Sequence, residues 1–157
     1  MRPTRLLAAS AALALPTTAL ADDKDTRVAI TLSPIHLILP VVELTGEFKV
    51  AERASVAVIG GAGRTSGVSL WELGAQGRFF LLGDFADNVH VGAEALYAGG
   101  ASSGLTAAGF SPGAFVGGKT TFDFGLVLDG QVGGAYYTSS GDGELDLLLN
   151  LNLGWAF

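Results

Sequence analysis

The sequence has no cysteine, two histidines and five prolines among its 157 residues. Without cysteine, the chain cannot form a disulfide framework, a thiolate metal site or a cysteine nucleophile. The two histidines, His36 and His90, give little material for acid–base catalysis, and the sequence shows no metal-ligand spacing, phosphate-binding loop or triad motif. We therefore expect a protein that is not an enzyme and that uses no cofactor and no metal.

Basic residues and long apolar runs are also scarce. Nine lysines and arginines face 15 acidic residues, and this balance argues against a nucleic-acid partner. After residue 21, no apolar run approaches the ~20 residues that a membrane-spanning helix needs. All 23 glycines lie in this same part of the chain, and such a glycine content penalises helices. A helical membrane protein is therefore excluded.

The first 21 residues have the three parts of a secretory signal peptide. Arg2 and Arg5 give a basic start, Leu6 to Leu15 carries no charge, and Ala19 and Ala21 form a small-x-small cleavage site. The apolar run is about half as long as a spanning helix, which favours a cleaved leader over an anchor. Cleavage after Ala21 removes 21 of the 157 residues and leaves 136, which fit one domain.

The strongest pattern in the chain is its last thirteen residues, Leu145 to Phe157. Every odd position there is apolar, and the even positions are polar or small with one exception, Leu148. This period of two predicts a strand with one apolar face, close in length to a tilted strand that crosses a membrane. Alternation with strong turns is the signature of a membrane β-barrel.

The same reading predicts eight strands, and no assignment is made for residues 33–41, where two prolines interrupt the pattern. The expected fold is all-β: a single eight-stranded antiparallel up-and-down transmembrane β-barrel, after a signal peptide at 1–21 and a short polar segment at 22–26. The barrel itself spans 27–157. Strands are expected near 27–32, 42–50, 55–63, 71–81, 89–97, 110–122, 126–137 and 145–157.

The connections predict an orientation. Short turns at 51–54, at 83–88 and around Asp123 are expected on the periplasmic side together with both termini. Somewhat longer loops at 64–69, 99–109 and 138–144 are expected outside. Outward aromatic residues fall near the two ends of the strands and are ~20 Å apart in depth, as in the girdles of membrane barrels. They are Trp71, Tyr97, Phe110 and Tyr136 near the outer ends, and Phe48, Phe79, Phe122, Trp155 and Phe157 near the inner ends.

Charged residues are expected to point into the lumen, whereas a soluble lipocalin-like barrel would carry them outside. The predicted lumen charge cluster is Glu43, Glu47, Lys49, Glu72, Arg78, His90, Glu94, Lys119, Asp129 and Asp146. Paired charges can plug a lumen that is only wide enough for side chains. Alternatively, an acidic outer mouth made by Glu43, Glu72 and Asp146 attracts cations. A turn centred near Phe85 and Ala86 predicts a direct Arg78–Glu94 pair across the fourth hairpin.

The region from Arg27 to Phe157 resembles the small eight-stranded outer-membrane barrels of Gram-negative bacteria, the class of the OmpA membrane domain and OmpX. In that family, the signal read by the barrel-assembly machinery is a polar residue, a glycine two residues later and two aromatics that end the chain. Asn150, Trp155 and Phe157 match this pattern, whereas Asn152 stands where the glycine is usual. The resemblance implies Sec export, an outer-membrane location, contact with outer-membrane lipid and lipopolysaccharide, and a monomer.

The expected function is therefore a non-enzymatic barrel of structural or interaction type with a plugged polar lumen. The alternative is a barrel that binds or conducts small cations or solutes through the acidic mouth. A lipid-modifying enzyme is a weaker alternative, because the known small-barrel enzymes need a histidine with serine or acidic partners near the outer leaflet. His90 lies at the opposite end, and His36 has only Ser33 as a nearby hydroxyl.

Overall fold

The computed structural model describes residues 26–38, 40–139 and 142–157. The predicted leader, with Ala19 and Ala21, lies outside these residues. Eight strands each pair antiparallel with their sequence neighbours, and β1 also pairs with β8, so that the sheet closes into a barrel. The strands are β1 (Val28–Leu32), β2 (Val41–Ala51), β3 (Ala54–Thr65), β4 (Val68–Gly83), β5 (Asn88–Ser102), β6 (Leu105–Thr121), β7 (Leu126–Ser139) and β8 (Asp142–Ala156). The predicted all-β, up-and-down, eight-stranded antiparallel barrel is confirmed.

The two ends of the barrel differ in their connections. We call the end where β1 begins and β8 ends the terminus end, and the opposite end the far end. Three connections lie at the terminus end: Glu52–Arg53, Asp84–Asp87 and Phe122–Gly125. They agree with the predicted short turns.

The prediction of longer loops at the opposite end is wrong for the segments 64–69 and 99–109, whereas residues 140–141 of the predicted loop at 138–144 lie outside the described residues. The β3–β4 and β5–β6 connections are two-residue turns, Ser66–Gly67 and Ser103–Gly104, in which all four residues have positive φ. Positive φ at both central residues is the type I′ geometry that matches the twist of a hairpin. Gly/Ser/Ala-rich segments at 64–69 and 99–109 were expected as loops, but their backbones continue the ladder almost to the turn. Because the ladder needs only backbone groups, small side chains do not end it.

The strands turn apolar side chains outward and polar side chains inward. Every strand has an exposed apolar residue, with exposed fractions from 37% at Leu128 to 80% at Leu105. Inside, most of the buried side chains are polar or charged, including Glu47, Arg78 and Asp129. Alternation along each strand therefore places the predicted faces correctly, and the barrel is inverted relative to a soluble one.

An apolar cluster closes the lumen at the terminus end. Phe80 and Phe85 lie with ring centroids 6.5 Å apart, beside Ala29, Val127 and Ala156. Asp84 Oδ1 accepts hydrogen bonds from the backbone amides of residues 86 and 87, at 2.9 and 3.2 Å. This side-chain turn fixes the connection in which Phe85 lies, and Phe85 is only 2% exposed. We call this cluster the apolar floor.

The described part of the unassigned segment at 33–41, which leaves out residue 39, folds over the far end of the barrel. It contains a short 3-10 helix, His36–Ile38, and its first residue, Ser33, is 1% exposed. Gly63 on β3 makes room for it, because a Cβ there would overlap the carbonyl oxygen of Pro40. The segment thus brings His36 to the lumen, which the sequence pattern did not predict.

The register of the β4–β5 hairpin overturns the expected Arg78–Glu94 pair. An irregularity between Phe80 and Leu82 places Gln76 opposite Glu94, and Arg78 lies opposite Gly92 instead. A regular hairpin around Phe85 and Ala86 places Arg78 opposite Ala93, next to Glu94. The extra residue in β4 shifts the partner by one residue more, to Gly92, so Arg78 keeps its inward direction but has other partners.

Candidate functional site: the polar lumen

Arg78 lies at the centre of a hydrogen-bonded network that crosses the lumen. Its Nη1 atom donates to Glu47 Oε2 at 3.1 Å and to Asp129 Oδ2 at 3.0 Å. Nε and Nη2 both donate to Gln76 Oε1, at 3.0 and 2.7 Å. Because Glu47 is on β2 and Asp129 on β7, the guanidinium of Arg78 on β4 connects strands that are not neighbours in the sheet.

Lys119 extends the network to β6. Its Nζ atom lies 3.0 Å from Glu47 Oε2 and 3.6 Å from the ring centroid of Phe85, over the apolar floor. Glu47 Oε2 therefore accepts from two cations, and Ser55 Oγ donates to the other carboxylate oxygen at 2.5 Å. Two cations and two carboxylates are paired within a buried space, which is the arrangement that offsets the cost of burying charge.

Amide side chains complete the network. Gln76 Nε2 donates to Glu94 Oε2 at 2.6 Å, and Gln131 Nε2 donates to Asp129 Oδ2 at 2.9 Å. Asn152 Nδ2 reaches the same Asp129 oxygen at 3.4 Å. We call Glu47, Gln76, Arg78, Glu94, Lys119, Asp129, Gln131 and Asn152 the central network. The predicted cluster contained its charges but none of its amides.

His90 is fully buried beside the central network. Its Nδ1 lies 2.7 Å from Asn88 Oδ1, and its ring packs edge-on against Phe115 with centroids 5.9 Å apart. His90 Nε2 and Asp129 Oδ1 are 3.8 Å apart, and neither atom has a hydrogen-bond partner. The position agrees with the prediction of an inward histidine toward the terminus end.

A second polar group lies at the far end of the lumen. It consists of His36, Glu43 and Glu72, whose nearest ligand atoms all lie within 4.8 Å of one another. We call these three residues the far-end group. Glu43 is 3% exposed, and Glu72 is half-buried with an Oε1 atom that is buried and has no hydrogen-bond partner. An imidazole and two carboxylates are ligand types that can hold a divalent metal ion.

One ring nitrogen of His36 has two partners. His36 Nδ1 lies 3.0 Å from Glu43 Oε2 and 3.0 Å from Ser33 Oγ. The hydrogen bond with Glu43 raises the pKa of the His36 imidazole above its ordinary value, although partial burial opposes the rise. A catalytic serine–histidine–acid triad needs the hydroxyl and the carboxylate on opposite ring nitrogens. Here both partners contact the same nitrogen, and this geometry differs from that of a triad.

A glycine explains how the two carboxylates of the far-end group come together. Glu43 on β2 pairs with Gly61 on β3, and Gly61 pairs in turn with Glu72 on β4. A Cβ at Gly61 would overlap the Glu72 carboxylate and lie 2.7 Å from its Cγ. Because Gly61 has no side chain, the carboxylates of Glu43 and Glu72 can lie in the same space, although β3 separates their strands.

A cavity of about 560 Å³ lies beside the far-end group. Its walls include Ile38, Leu70, Trp71 and Tyr137, and Glu72 also lines it. The cavity is therefore largely apolar, with a carboxylate on one side. Glu72 is the residue through which the far-end group borders this cavity.

The structure divides the predicted lumen charge cluster into these two groups. Glu47, Arg78, Glu94, Lys119 and Asp129 belong to the central network, and Glu43 and Glu72 to the far-end group. Lys49 is half-buried and Asp146 is exposed, and the structure brings neither into the two groups. His36 was missed as a luminal residue, because no strand period extends across its segment.

The residues of the predicted assembly signal lie on the last strand. Trp155 is on the outer face and packs near Phe124, with ring centroids 6.0 Å apart, whereas Asn150 is half-buried and its Nδ2 reaches Gln131 Oε1 at 3.5 Å. Phe157 closes the barrel through its backbone, which accepts from Arg27 N at 2.9 Å and donates to Val28 O at 2.8 Å. These contacts give the three residues structural roles.

Comparison with known proteins adds no family to this description. No family model matches the chain, and neither the curated proteins nor the solved structures give a match. Within the part of the chain that the structure describes, no helix is long and apolar enough to cross a membrane.

Proposed function

We propose that the protein is an integral outer-membrane β-barrel of a Gram-negative bacterium, with a non-enzymatic, structural or interaction role and a lumen plugged by its own side chains. The observation that carries this proposal is the inverted polarity of the barrel. Leu145, Leu147, Leu149, Leu151 and Leu153 form an exposed leucine row on β8, while charged residues are buried inside. Lipid solvates such a surface, whereas soluble monomers rarely expose large contiguous apolar patches.

Aromatic side chains at both ends support a membrane placement. At the far end, Trp71 and Tyr97 lie with ring centroids 5.1 Å apart, and Tyr97 pairs with Phe110 across the next hairpin. At the terminus end, Phe122, Phe124 and Trp155 form a stacked and tilted series. Two aromatic belts around an apolar band are typical of transmembrane barrels.

The central network supports a closed lumen. Arg78 connects β2, β4 and β7, and Lys119 connects β6 to β2, above the apolar floor. An eight-stranded barrel encloses little more than its own side chains, and these bonds join its opposite walls. Conduction of cations past Glu43 and Glu72 is a second candidate function, favoured by these two far-end acids and opposed by the central network.

Two features of the sequence support the proposed outer-membrane location. The predicted signal peptide supports Sec export, and the ending with Trp155 and Phe157 supports recognition by the barrel-assembly machinery. Outer-membrane lipid and lipopolysaccharide are then the partners of the apolar surface. The geometry of the lumen also supports a non-enzymatic role, because Ser33 is buried and shares His36 Nδ1 with Glu43.

Membrane fractionation combined with heat-modifiability on a denaturing gel tests this proposal. We expect the protein in the outer-membrane fraction, with an unheated form that migrates differently from the boiled form, because closed barrels resist unfolding by detergent. Recovery in the soluble periplasmic fraction contradicts the membrane placement. Planar-bilayer recordings of the purified folded protein test the plug: we expect no steps, and reproducible cation-selective steps favour the conducting candidate.

A further inference from the structure

We propose that His36, Glu43 and Glu72 form a binding site for a divalent first-row metal ion, of the Zn²⁺ type, in the far-end lumen. This inference goes beyond the structural role and does not depend on whether the lumen conducts. It rests on four observations: the proximity of three ligand atoms, the burial of Glu43, the unpartnered oxygen of Glu72, and the glycine between the two acids.

The two carboxylates of the far-end group repel each other. Two carboxylates brought into one partly buried space repel each other unless a proton or a cation lies between them. His36 bonds Glu43 but leaves the buried Oε1 of Glu72 without a hydrogen-bond partner. A buried polar atom without a partner calls for an explanation such as an ion. A divalent cation contacts both carboxylates and supplies the missing charge.

The cationic side chains of the central network, Arg78 and Lys119, do not neutralise the acids of the far-end group. Arg78 Nη1 is held by Glu47 and Asp129, and Lys119 Nζ by Glu47, all within the central network. Glu47 and Asp129 therefore have side-chain cations and Glu94 has the amide of Gln76, whereas the far-end group has two acids and one histidine. Because the far-end group contains no lysine or arginine, we place the external cation there.

The ligand types favour one kind of ion. Imidazole nitrogen and carboxylate oxygen are both zinc ligands, and a site with three protein ligands leaves the fourth tetrahedral position to a water or another ligand. Ca²⁺ and Mg²⁺ prefer sites made of oxygen alone, so the histidine favours a borderline ion such as Zn²⁺. His36 Nδ1 and Glu43 Oε2 are already 3.0 Å apart, which is close to the ~3.4 Å between ligands around one tetrahedral ion.

The far-end group is also accessible. Ser33 Oγ lies 3.0 Å from His36 Nδ1 and holds the imidazole in the lumen, and an ion that binds Nδ1 takes the place of this hydrogen bond. Glu72 lines the cavity bounded by Trp71 and Tyr137, and this cavity gives an ion a path to the carboxylate. The far-end group thus has ligands and a route from outside.

Metal titration of the purified protein, folded in detergent micelles, tests the inference. After treatment with a chelator, the protein is titrated with Zn²⁺ by calorimetry and with Co²⁺ by visible absorption. We expect one saturable ion per chain and a Co²⁺ spectrum of low coordination number. His36→Ala and Glu72→Gln are expected to weaken binding at least about tenfold, since even outer-shell partners of metal ligands contribute that much.

Two further variants make the test specific. Asp146→Asn removes an exposed acid on the inner side of β8 without touching the far-end group, and its affinity is expected to equal that of the original protein. Gly61→Ala adds a methyl group where the Glu72 carboxylate lies, and it is expected to weaken binding while both acids remain.

Heat-modifiability of each variant shows that the barrel is folded, so a failure of metal binding is distinct from a failure of the proposed membrane fold. Absence of a saturable 1:1 site in the folded protein overturns the inference and leaves a shared proton as the link between the two acids. Equal affinity of the His36→Ala variant also overturns it, because the ion is then held by surface carboxylates.

Discussion

The central network and the far-end group occupy the same lumen but solve the problem of buried charge differently. In the central network, Arg78 and Lys119 pair with Glu47 and Asp129 within 3.1 Å, Gln76 bonds Glu94, and Asp129 Oδ1 faces His90 Nε2 at 3.8 Å without a hydrogen bond. In the far-end group, two acids meet a single histidine, and Glu72 Oε1 is buried without a hydrogen-bond partner. The central network contains its own lysine and arginine, whereas the far-end group contains neither. We infer that the central network serves closure and the far-end group serves binding.

The difference also shows in which strands contribute. The central network joins β2 and all strands from β4 to β8, so its bonds cross the barrel and hold its walls together. The far-end group joins β2, β4 and the segment that contains the 3-10 helix, on one side of the barrel. Loss of a central bond is therefore expected to affect the whole barrel, whereas changes in the far-end group remain local.

The largest loss in the free energy of unfolding is expected from Arg78→Ala. The substitution leaves Glu47 and Asp129 buried with one partner fewer each, and breaking a buried pair in this way costs about 3–5 kcal/mol. Urea unfolding in micelles measures the loss. The matched control is Arg53→Ala, since Arg53 is exposed in the β2–β3 turn and is expected to change stability by less than about 0.5 kcal/mol. Similar small losses in both variants contradict a closing role for the central network.

A second, smaller effect concerns the coupling between Lys119 and Glu47. Lys119 Nζ lies 3.0 Å from Glu47 Oε2, across the barrel from β6 to β2. A double-mutant cycle with Lys119→Met and Glu47→Gln is expected to give a coupling free energy of about 1–3 kcal/mol, because residues in one buried network are not independent. Additive single losses in urea unfolding show that the bond across the lumen does not contribute to stability.

The inside and outside of the barrel were predictable from sequence because the strand period is two. Once Leu145 to Phe157 defined an apolar face, every inward position followed from alternation, and Glu47, Arg78, Lys119 and Asp129 lie inside as expected. Long-range partners did not follow, because alternation gives the face of a residue but not its depth or its partners. Glu47 is 72 residues from Lys119, and only the closed barrel brings them together.

Register and irregular backbone account for the remaining differences. The Arg78–Glu94 prediction failed because it used an approximate register. An extra residue between Phe80 and Leu82, which no local composition marks, then moves Glu94 one position further from Arg78. His36 was not placed because its segment has no strand period, and its position depends on tertiary packing against β2 and β3. The role of Gly61 was equally hidden, since its importance lies in the two acids that flank it across separate hairpins.

Glu72→Gln, unlike the substitutions in the central network, is expected to raise the free energy of unfolding when no metal ion is bound. In the presence of a chelator, the variant is expected to be more stable than the original protein by about 1 kcal/mol, because repulsion with Glu43 ends and the unpartnered anion is removed. With saturating Zn²⁺ the order is expected to reverse, since the original protein gains the free energy of binding the ion. Urea unfolding under both conditions measures the change. A loss of stability in the chelated state contradicts this repulsion between Glu43 and Glu72.

The smallest change in the free energy of unfolding is expected from Asp146→Asn. This substitution tests whether the far-end acids act together as one acidic mouth. Asp146 was predicted to share that mouth with Glu43 and Glu72, but it is exposed on β8, where water screens its charge. Its replacement is expected to change the free energy of unfolding by less than about 0.5 kcal/mol in urea, with or without Zn²⁺. Glu43→Gln is the matched comparison, because this acid is 3% exposed and contacts His36. If Asp146→Asn reduces the stabilisation by Zn²⁺ as much as Glu43→Gln does, then the combined negative charge of the far-end acids attracts the ion. The proposed site of three residues is then wrong.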